Sequence, residues 1–126
     1  MAVNEDLWGR FDQVWNSFTP AQWSRKYGKD WTFADQPYHM ASFDRVMGAE
    51  VIAKGSDVPK QERWLLRSGS DINAWNAKEF AKRPASTTPQ QALADYRATH
   101  DALRKAVAGL ADADLDRKAW MPLVFG

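Results

Sequence analysis

The stretch Asp30–Arg45, DWTFADQPYHMASFDR, decides the fold because it holds a clear helix start. Thr32 with Asp35 three residues later fits a capping box, in which each side chain bonds a backbone N–H that the helix leaves unpaired. Pro37 is tolerated in the first turns of a helix. The pattern predicts an amphipathic helix over residues 33–54. Its apolar side is formed by Phe33, Met40, Phe43, Met47 and Val51.

His39 lies at the edge of this apolar stripe and is one of two histidines in the chain. A neutral imidazole is a common ligand for zinc, nickel or iron, and Asp35, one turn earlier, is placed to orient it or to ligate the same metal. A metal site needs three or four ligands, however, so one histidine and one aspartate do not define it. His39 therefore stands as a candidate metal ligand, with an ordinary imidazole at the rim of the core as the alternative.

Apolar spacing predicts further helices over residues 4–18 and 71–83. The first presents Leu7, Phe11, Val14, Trp15 and Phe18 on one face. The second presents Ile72, Trp75 and Phe80, and Asn76 falls on the same side. Asn76 either bonds nearby backbone or offers a polar group to a pocket. Between the helices, residues 56–70 are irregular, although PKQERWLLR has the composition for two helical turns.

The most regular pattern predicts a helix over residues 89–110. Thr88-Pro89-Gln90-Gln91 is a second capping box with Pro at the first helical position. Residues at alternating spacings of three and four form a bundle-type seam. The seam contains Leu93, Tyr96, His100, Leu103, Val107 and Leu110. His100 is either a buried imidazole bonded to a neighbouring polar group or a polar contact in a pocket.

The composition is that of an ordinary globular protein: 126 residues, 44% hydrophobic and 26% charged, with a net charge of +1. This length favours a single domain over residues 1–126. The small net charge argues against a nucleic-acid partner, and no stretch approaches the about 20 apolar residues of a membrane span. The absence of cysteine excludes disulfides, thiolate metal sites and cysteine nucleophiles. We expect a cytoplasmic protein with neither a nucleic-acid nor a membrane partner.

Several kinds of catalytic site are disfavoured by the remaining motifs. Ser42, His39 and Asp35 share one helix without a nucleophile elbow or an oxyanion loop, which argues against a serine hydrolase. No Gly-rich phosphate loop occurs. The acidic residues fall mostly on the faces expected to meet solvent, and no inward pair of carboxylates stands out for acid–base work. Catalytic residues therefore remain unassigned.

The last residues, 119–126, read AWMPLVFG and carry no charge. Leaving such side chains in water costs about 1.5–3 kcal/mol for each large one. We expect this run either to pack across the bundle or to precede a fourth helix that is missing, truncated or supplied by a partner. A homodimer is the partner state that we favour.

Together, WTFADQPYHM at residues 31–40, INAWNAKEFAKRP at residues 72–84 and a long helix ending in LADADL resemble the DinB-like superfamily, which includes mycothiol-dependent maleylpyruvate isomerases and bacillithiol transferases. The resemblance implies an all-α four-helix bundle of up-down-down-up type. It also implies a metal site with one histidine from the second helix and two from an H-x-x-x-H motif on the fourth. His39 matches the first position, whereas the other two histidines have no counterpart in the chain.

The resemblance implies a divalent-metal-dependent enzyme in which His39 is one of the metal ligands. The enzyme would be a transferase or isomerase that uses a low-molecular-weight thiol, or a hydrolase. The alternatives are a non-catalytic bundle that binds a small molecule and an oligomerising structural protein. For the enzyme and for the small-molecule binding bundle, the predicted pocket residues are Trp31, Asp35, Tyr38, Trp75, Asn76, His100 and Trp120.

Overall fold

The computed structural model describes residues 2–53 and 69–115, and this part of the chain is mostly helical. In chain order the elements are α1 (Ala2–Asn16), α2 (Pro20–Trp23), β1 (Lys26–Tyr27), β2 (Trp31–Thr32), α3 (Asp35–Ala53), α4 (Gly69–Lys82), α5 (Pro89–Ala108) and α6 (Asp112–Leu115). None of the helices within these two ranges is long and apolar enough to cross a membrane. The predicted all-α class is confirmed.

The chain divides into two compact units, Met1–Asp35 and Gln36–Gly126. The four predicted helices correspond to α1, α3, α4 and α5, with ends that differ by two residues or fewer. The helical turns expected from PKQERWLLR and the apolar run AWMPLVFG both lie outside the described residues.

In the first unit, β1 and β2 form a short antiparallel hairpin that the sequence pattern did not predict. Lys26 pairs with Thr32, and Tyr27 pairs with Trp31. The turn contains Gly28 at φ 70°, a left-handed conformation that glycine adopts without a steric penalty. Two-residue strands are too short for an alternating pattern to be recognised in the sequence.

Aromatic rings pack next to this hairpin within the first unit. The ring of Phe18 contacts Trp23 at 4.9 Å and Phe33 at 5.6 Å between centroids, in both cases edge to face. Trp23 is buried, and its carbonyl accepts the N–H of Ala34 at 3.0 Å. Thr19 caps α2 with a complete capping box. The short helix α2 therefore serves to place Trp23 against Phe18.

Three residues of the predicted apolar face of α1 are exposed. Leu7, Phe11 and Val14 are 49%, 50% and 52% exposed, whereas Trp15 is buried. Ring contacts run along the helix from Trp8 to Phe11 and from Phe11 to Trp15. Of the residues predicted on this face within α1, Trp15 is the buried one.

The start of α3 confirms the predicted role of Asp35, with one change. The Asp35 carboxylate accepts the backbone N–H of Thr32 at 2.7 Å and also the Thr32 hydroxyl at 2.9 Å. The bond from the Thr32 hydroxyl to the carboxylate is additional to the two bonds of a standard capping box. The helix begins at Asp35, and Pro37 is fully buried in its first turn.

The core of the second unit uses a different side of α3 from the predicted stripe. Among residues 38–48 of α3, the buried side chains are Tyr38, Ala41 and Ser42, whereas Met40, Phe43 and Met47 are half-buried. The Tyr38 ring stacks on Phe80 of α4 at 5.7 Å. The predicted stripe did not include Tyr38, Ala41 or Ser42, so it missed these deeply buried positions.

Helices α3 and α4 run antiparallel, since the order of their contacts is reversed. Tyr38 near the start of α3 contacts Phe80 near the end of α4, and Phe43 one turn later contacts Trp75 at 5.9 Å. Helix α5 is tied to α3 by the ion pair between Arg45 and Asp95, with N–O distances of 2.8 and 3.0 Å.

The capping box that starts α5 is confirmed in full. The Gln91 N–H donates to the Thr88 hydroxyl at 3.1 Å, and the Thr88 N–H donates to the Gln91 side chain at 2.8 Å. The seam is buried at its beginning, where Leu93 and Tyr96 are 5% and 3% exposed. It opens toward the end of the helix, where Val107 is 45% exposed.

Candidate functional site

His39 lies in α3 next to two aromatic rings. Its imidazole is 6.3 Å from the ring of Phe43, one turn along the same helix, and 6.3 Å from Trp75 of α4 in an edge-to-face arrangement. Phe43 and Trp75 also contact each other edge to face. We call this set the His39 cluster (His39, Phe43 and Trp75). The antiparallel packing of α3 on α4 brings it together.

The environment of the cluster favours the neutral form of the imidazole. Burial lowers the pKa of His39 below the ordinary value for histidine, because desolvation penalises the charged form. The ring is therefore neutral at pH 7. A neutral imidazole is the form that binds metals or accepts a hydrogen bond from a ligand.

Asn76 follows Trp75 on α4 and is buried, with 8% of its surface exposed. Its Oδ1 atom has no hydrogen-bond partner within the described part of the chain. A buried amide oxygen without a donor costs about 1–3 kcal/mol, so native structures rarely keep one without a reason. Asn76 thus provides a buried hydrogen-bond acceptor at the position that follows Trp75 on α4.

Tyr38 is a structural residue at the other end of the α3–α4 contact. Its hydroxyl donates to the carbonyl of Glu79 at 3.0 Å. The guanidinium of Arg83 lies 5.3 Å from the centroids of both the Tyr38 and the Phe80 rings, a cation–π arrangement. Tyr38 was predicted to line the pocket, and the cation–π contact of Arg83 was not predicted.

His100 contacts an acidic residue that the sequence analysis did not single out. Its Nδ1 atom is 3.1 Å from Oδ2 of Asp44 on α3. The side chain of Asp44 is only 14% exposed, so it is an exception to the prediction that acidic residues mostly meet solvent. The two residues are 56 positions apart, and no local pattern could have paired them.

The other predicted site residues are distributed along the chain. Trp31 is half-buried in β2, within the first unit. Asp35 is buried at the start of α3, where it accepts two bonds from Thr32. Trp120 lies outside the described residues. The structure therefore brings the predicted metal ligand His39 and the predicted pocket residue Trp75 into ring contact.

The described residues do not fit a metal ion by themselves. In residues 2–53 and 69–115, no group of three or more His, Asp and Glu side chains could hold a metal. The chain has two histidines and no cysteine, and one of those histidines, His100, is bonded to Asp44. A metal on His39 would therefore need ligands from elsewhere in the chain or from a second copy.

Among protein families, the model of the DinB superfamily matches residues 4–126 of the chain. This span contains most of α1 and all of the other helices and strands given above. No curated protein and no solved structure matched the chain. The resemblance inferred from the sequence is thus confirmed over nearly the whole length.

Proposed function

Because the chain belongs to the DinB superfamily, we propose that it is a helical bundle that binds a small molecule at the α3–α4 contact, next to His39, Trp75 and Asn76. The proposal includes the up-down-down-up arrangement of four helices that the family implies. Small-molecule sites are lined by apolar and aromatic side chains with a few well-placed polar groups. The His39 cluster supplies the aromatic part, and Asn76 supplies a polar group.

The observation that carries this proposal is the buried Oδ1 atom of Asn76, which has no donor within the described part. An amide oxygen accepts from N–H or O–H groups only. The ligand class that fits is a small, largely apolar molecule with at least one N–H or O–H donor. The neutral ring of His39 adds a second group that can donate or accept a hydrogen bond.

The test is a ligand screen by protein-observed NMR, with small aromatic amides and alcohols as probes. Asn76→Leu removes the acceptor at nearly constant volume, and Asn73→Leu on the exposed side of α4 is the matched control. We expect probes that shift the amide signals around Trp75 to bind the control like the wild type. They should bind Asn76→Leu at least about tenfold more weakly, because an unmade buried hydrogen bond costs on the order of 1–3 kcal/mol. Equal affinity for both variants would overturn the proposal.

A second candidate function is binding of a divalent metal (zinc, nickel or iron) partly through His39. The neutral, half-buried imidazole supports it. The missing ligands would come from outside the described residues or from the second copy in a homodimer. A thiol-dependent transferase or isomerase, or a hydrolase, is the enzyme class that the family then suggests.

Calorimetric titration of zinc and nickel into metal-free protein tests this candidate. His39→Ala is compared with His100→Gln, which alters the other histidine. Micromolar binding that is lost only in His39→Ala would support a metal role, and turnover assays with low-molecular-weight thiols would follow. Absence of binding in the wild type, or equal binding in His39→Ala, would exclude His39 as a ligand.

A further inference from the structure

The side chain of Asn76 ends in a carboxamide, which carries hydrogen-bonding atoms of both kinds. Its Oδ1 atom accepts hydrogen bonds, and its Nδ2 atom donates them through two N–H groups. The residue is 8% exposed, and Oδ1 has no hydrogen-bond partner within residues 2–53 and 69–115. Because both atoms are bonded to the same carbon, a ligand group that reaches Oδ1 is also within reach of Nδ2.

The atoms of this carboxamide restrict the chemistry of the ligand group that can satisfy them. An ionised carboxylate has acceptors only, so it cannot donate the hydrogen bond that Oδ1 needs. An ammonium group has donors only, so it offers nothing to Nδ2. A buried polar group that is left unsatisfied is costly, and a ligand group with both a donor and an acceptor is therefore favoured.

Among uncharged ligand groups, the direction of the donor and the acceptor decides which can pair with both atoms of Asn76. A hydroxyl has a single oxygen for the two roles, so both bonds cannot have good angles at once. A trans secondary amide, such as a peptide bond, has its N–H and C=O pointing in opposite directions. A primary carboxamide or a lactam holds an N–H beside its C=O and can form two parallel bonds. Asparagine makes a bidentate contact of this kind with adenine.

The apolar part of the ligand is indicated by Trp75, which precedes Asn76 on α4 and is 6% exposed. The Trp75 ring is met edge to face by Phe43 at 5.9 Å and by His39 at 6.3 Å. Aromatic rings in such arrangements attract each other beyond the effect of burial. A flat ring is therefore the apolar group that suits the α3–α4 contact.

We propose that the ligand of this site is an uncharged aromatic carboxamide or lactam that pairs with both Oδ1 and Nδ2 of Asn76. This inference rests on the proposed binding function and narrows its ligand class. Rotation of the Asn76 carboxamide by half a turn exchanges its two polar atoms. A ligand amide that presents both groups side by side pairs with either orientation, whereas a ligand with a donor alone pairs with one.

The experiment compares benzamide, a primary carboxamide, with benzyl alcohol, which has one oxygen for both roles. Each probe is titrated by protein-observed NMR into the wild type, Asn76→Leu and Asn73→Leu. We expect Asn76→Leu to weaken benzamide roughly fivefold more than it weakens benzyl alcohol, because the amide loses one more hydrogen bond. Asn73→Leu, on the exposed side of α4, should leave both affinities unchanged. N-methylbenzamide, a trans amide, should behave like benzyl alcohol.

Equal losses of affinity for benzamide and benzyl alcohol in Asn76→Leu would overturn the inference and leave the proposed function intact. A second readout needs no variant: the side-chain NH₂ signals of Asn76 in the wild type should shift when benzamide saturates the protein. Unshifted signals at saturation would also overturn the inference. If none of the probes bound the wild type, the proposed function would fail, and the inference would fail with it.

Discussion

The hydroxyl of Tyr38 donates a hydrogen bond to the backbone carbonyl of Glu79, 41 residues further along the chain, at 3.0 Å. Glu79 lies in the last turn of α4, which ends at Lys82. Carbonyl groups in the last turn of a helix have no partner within the helix itself. A side chain from the start of α3 thus satisfies the end of α4 and fixes the α3–α4 contact that holds the His39 cluster.

Tyr38→Phe should lower the free energy of unfolding by about 0.5–1.5 kcal/mol, the usual net value of one hydrogen bond. The ring remains, so the stack on Phe80 and the contact with Arg83 are kept. The measurement is urea unfolding followed by circular dichroism. Tyr38→Leu, which also removes the ring, serves as the larger comparison. An unchanged urea midpoint in Tyr38→Phe would show that this bond adds nothing to stability.

Asn76→Leu should leave stability unchanged or raise it by about 1 kcal/mol, since it removes a buried acceptor that has no donor in the described part of the chain. Natural sites often trade stability for binding in this way. Chemical unfolding of the ligand-free variant, with Asn73→Leu as the exposed control, measures the difference. A loss of more than about 1 kcal/mol would indicate that the Asn76 amide is satisfied in the native protein.

His39 should make the protein less stable in mild acid. Its pKa is lowered on folding, so the stability that it contributes is present above the unfolded pKa of about 6.5 and is lost as the pH falls through the folded value. Between about pH 7 and about pH 5, the free energy of unfolding should fall more for the wild type than for His39→Gln. Urea midpoints at several pH values test this, and parallel profiles for the two proteins would contradict it.

The pKa of Asp44 should rise further when His100 is replaced by Gln. The substitution removes the charge of the imidazole, one of the causes that hold this pKa down against burial. Carbon-13 NMR titration of the carboxyl groups follows Asp44 directly. A titration of Asp44 identical to that of the wild type would refute the electrostatic link.

The ion pair of Arg45 with Asp95 should contribute little, although both of its N–O distances are short. The side chains are 45% and 42% exposed, and exposed pairs are typically worth about 0.2–1 kcal/mol. A double-mutant cycle with Arg45→Ala and Asp95→Ala measures the coupling. Repeating the cycle in about 1 M salt, where charges are screened within about 3 Å, should reduce it further. A coupling well above this range would mean that the pair is effectively desolvated.

Local signals in the sequence predicted the starts of α3 and α5 well. The start of α5 depends on Thr88 and Gln91, three residues apart, and the start of α3 depends on Thr32 and Asp35 at the same spacing. Such contacts form within one turn and do not require the rest of the fold. For that reason the sequence alone was enough to place them.

The burial of each helix face was harder to predict, because it depends on neighbours that are distant in sequence. The spacing of Leu7, Phe11 and Val14 predicts an apolar face on α1 but not how far it is covered. Likewise, Asp44 has no local feature that marks it as buried, and its partner is on another helix. For the candidate site, His39 and Trp75 were identified separately, and only the structure supplied their contact.

The two Thr-Pro capping boxes have a consequence for how the chain folds. At Thr19 and Thr88, proline fixes the first helical dihedral angle, and the reciprocal bonds close within four residues. Starting a helix is the slow, costly part of forming it, because several residues are ordered for the first hydrogen bond. For the 20-residue α5, a preset first turn lowers that cost before any tertiary contact exists. We therefore expect α5 to form early in folding, so that Thr88→Ala slows folding more than it speeds unfolding in stopped-flow measurements.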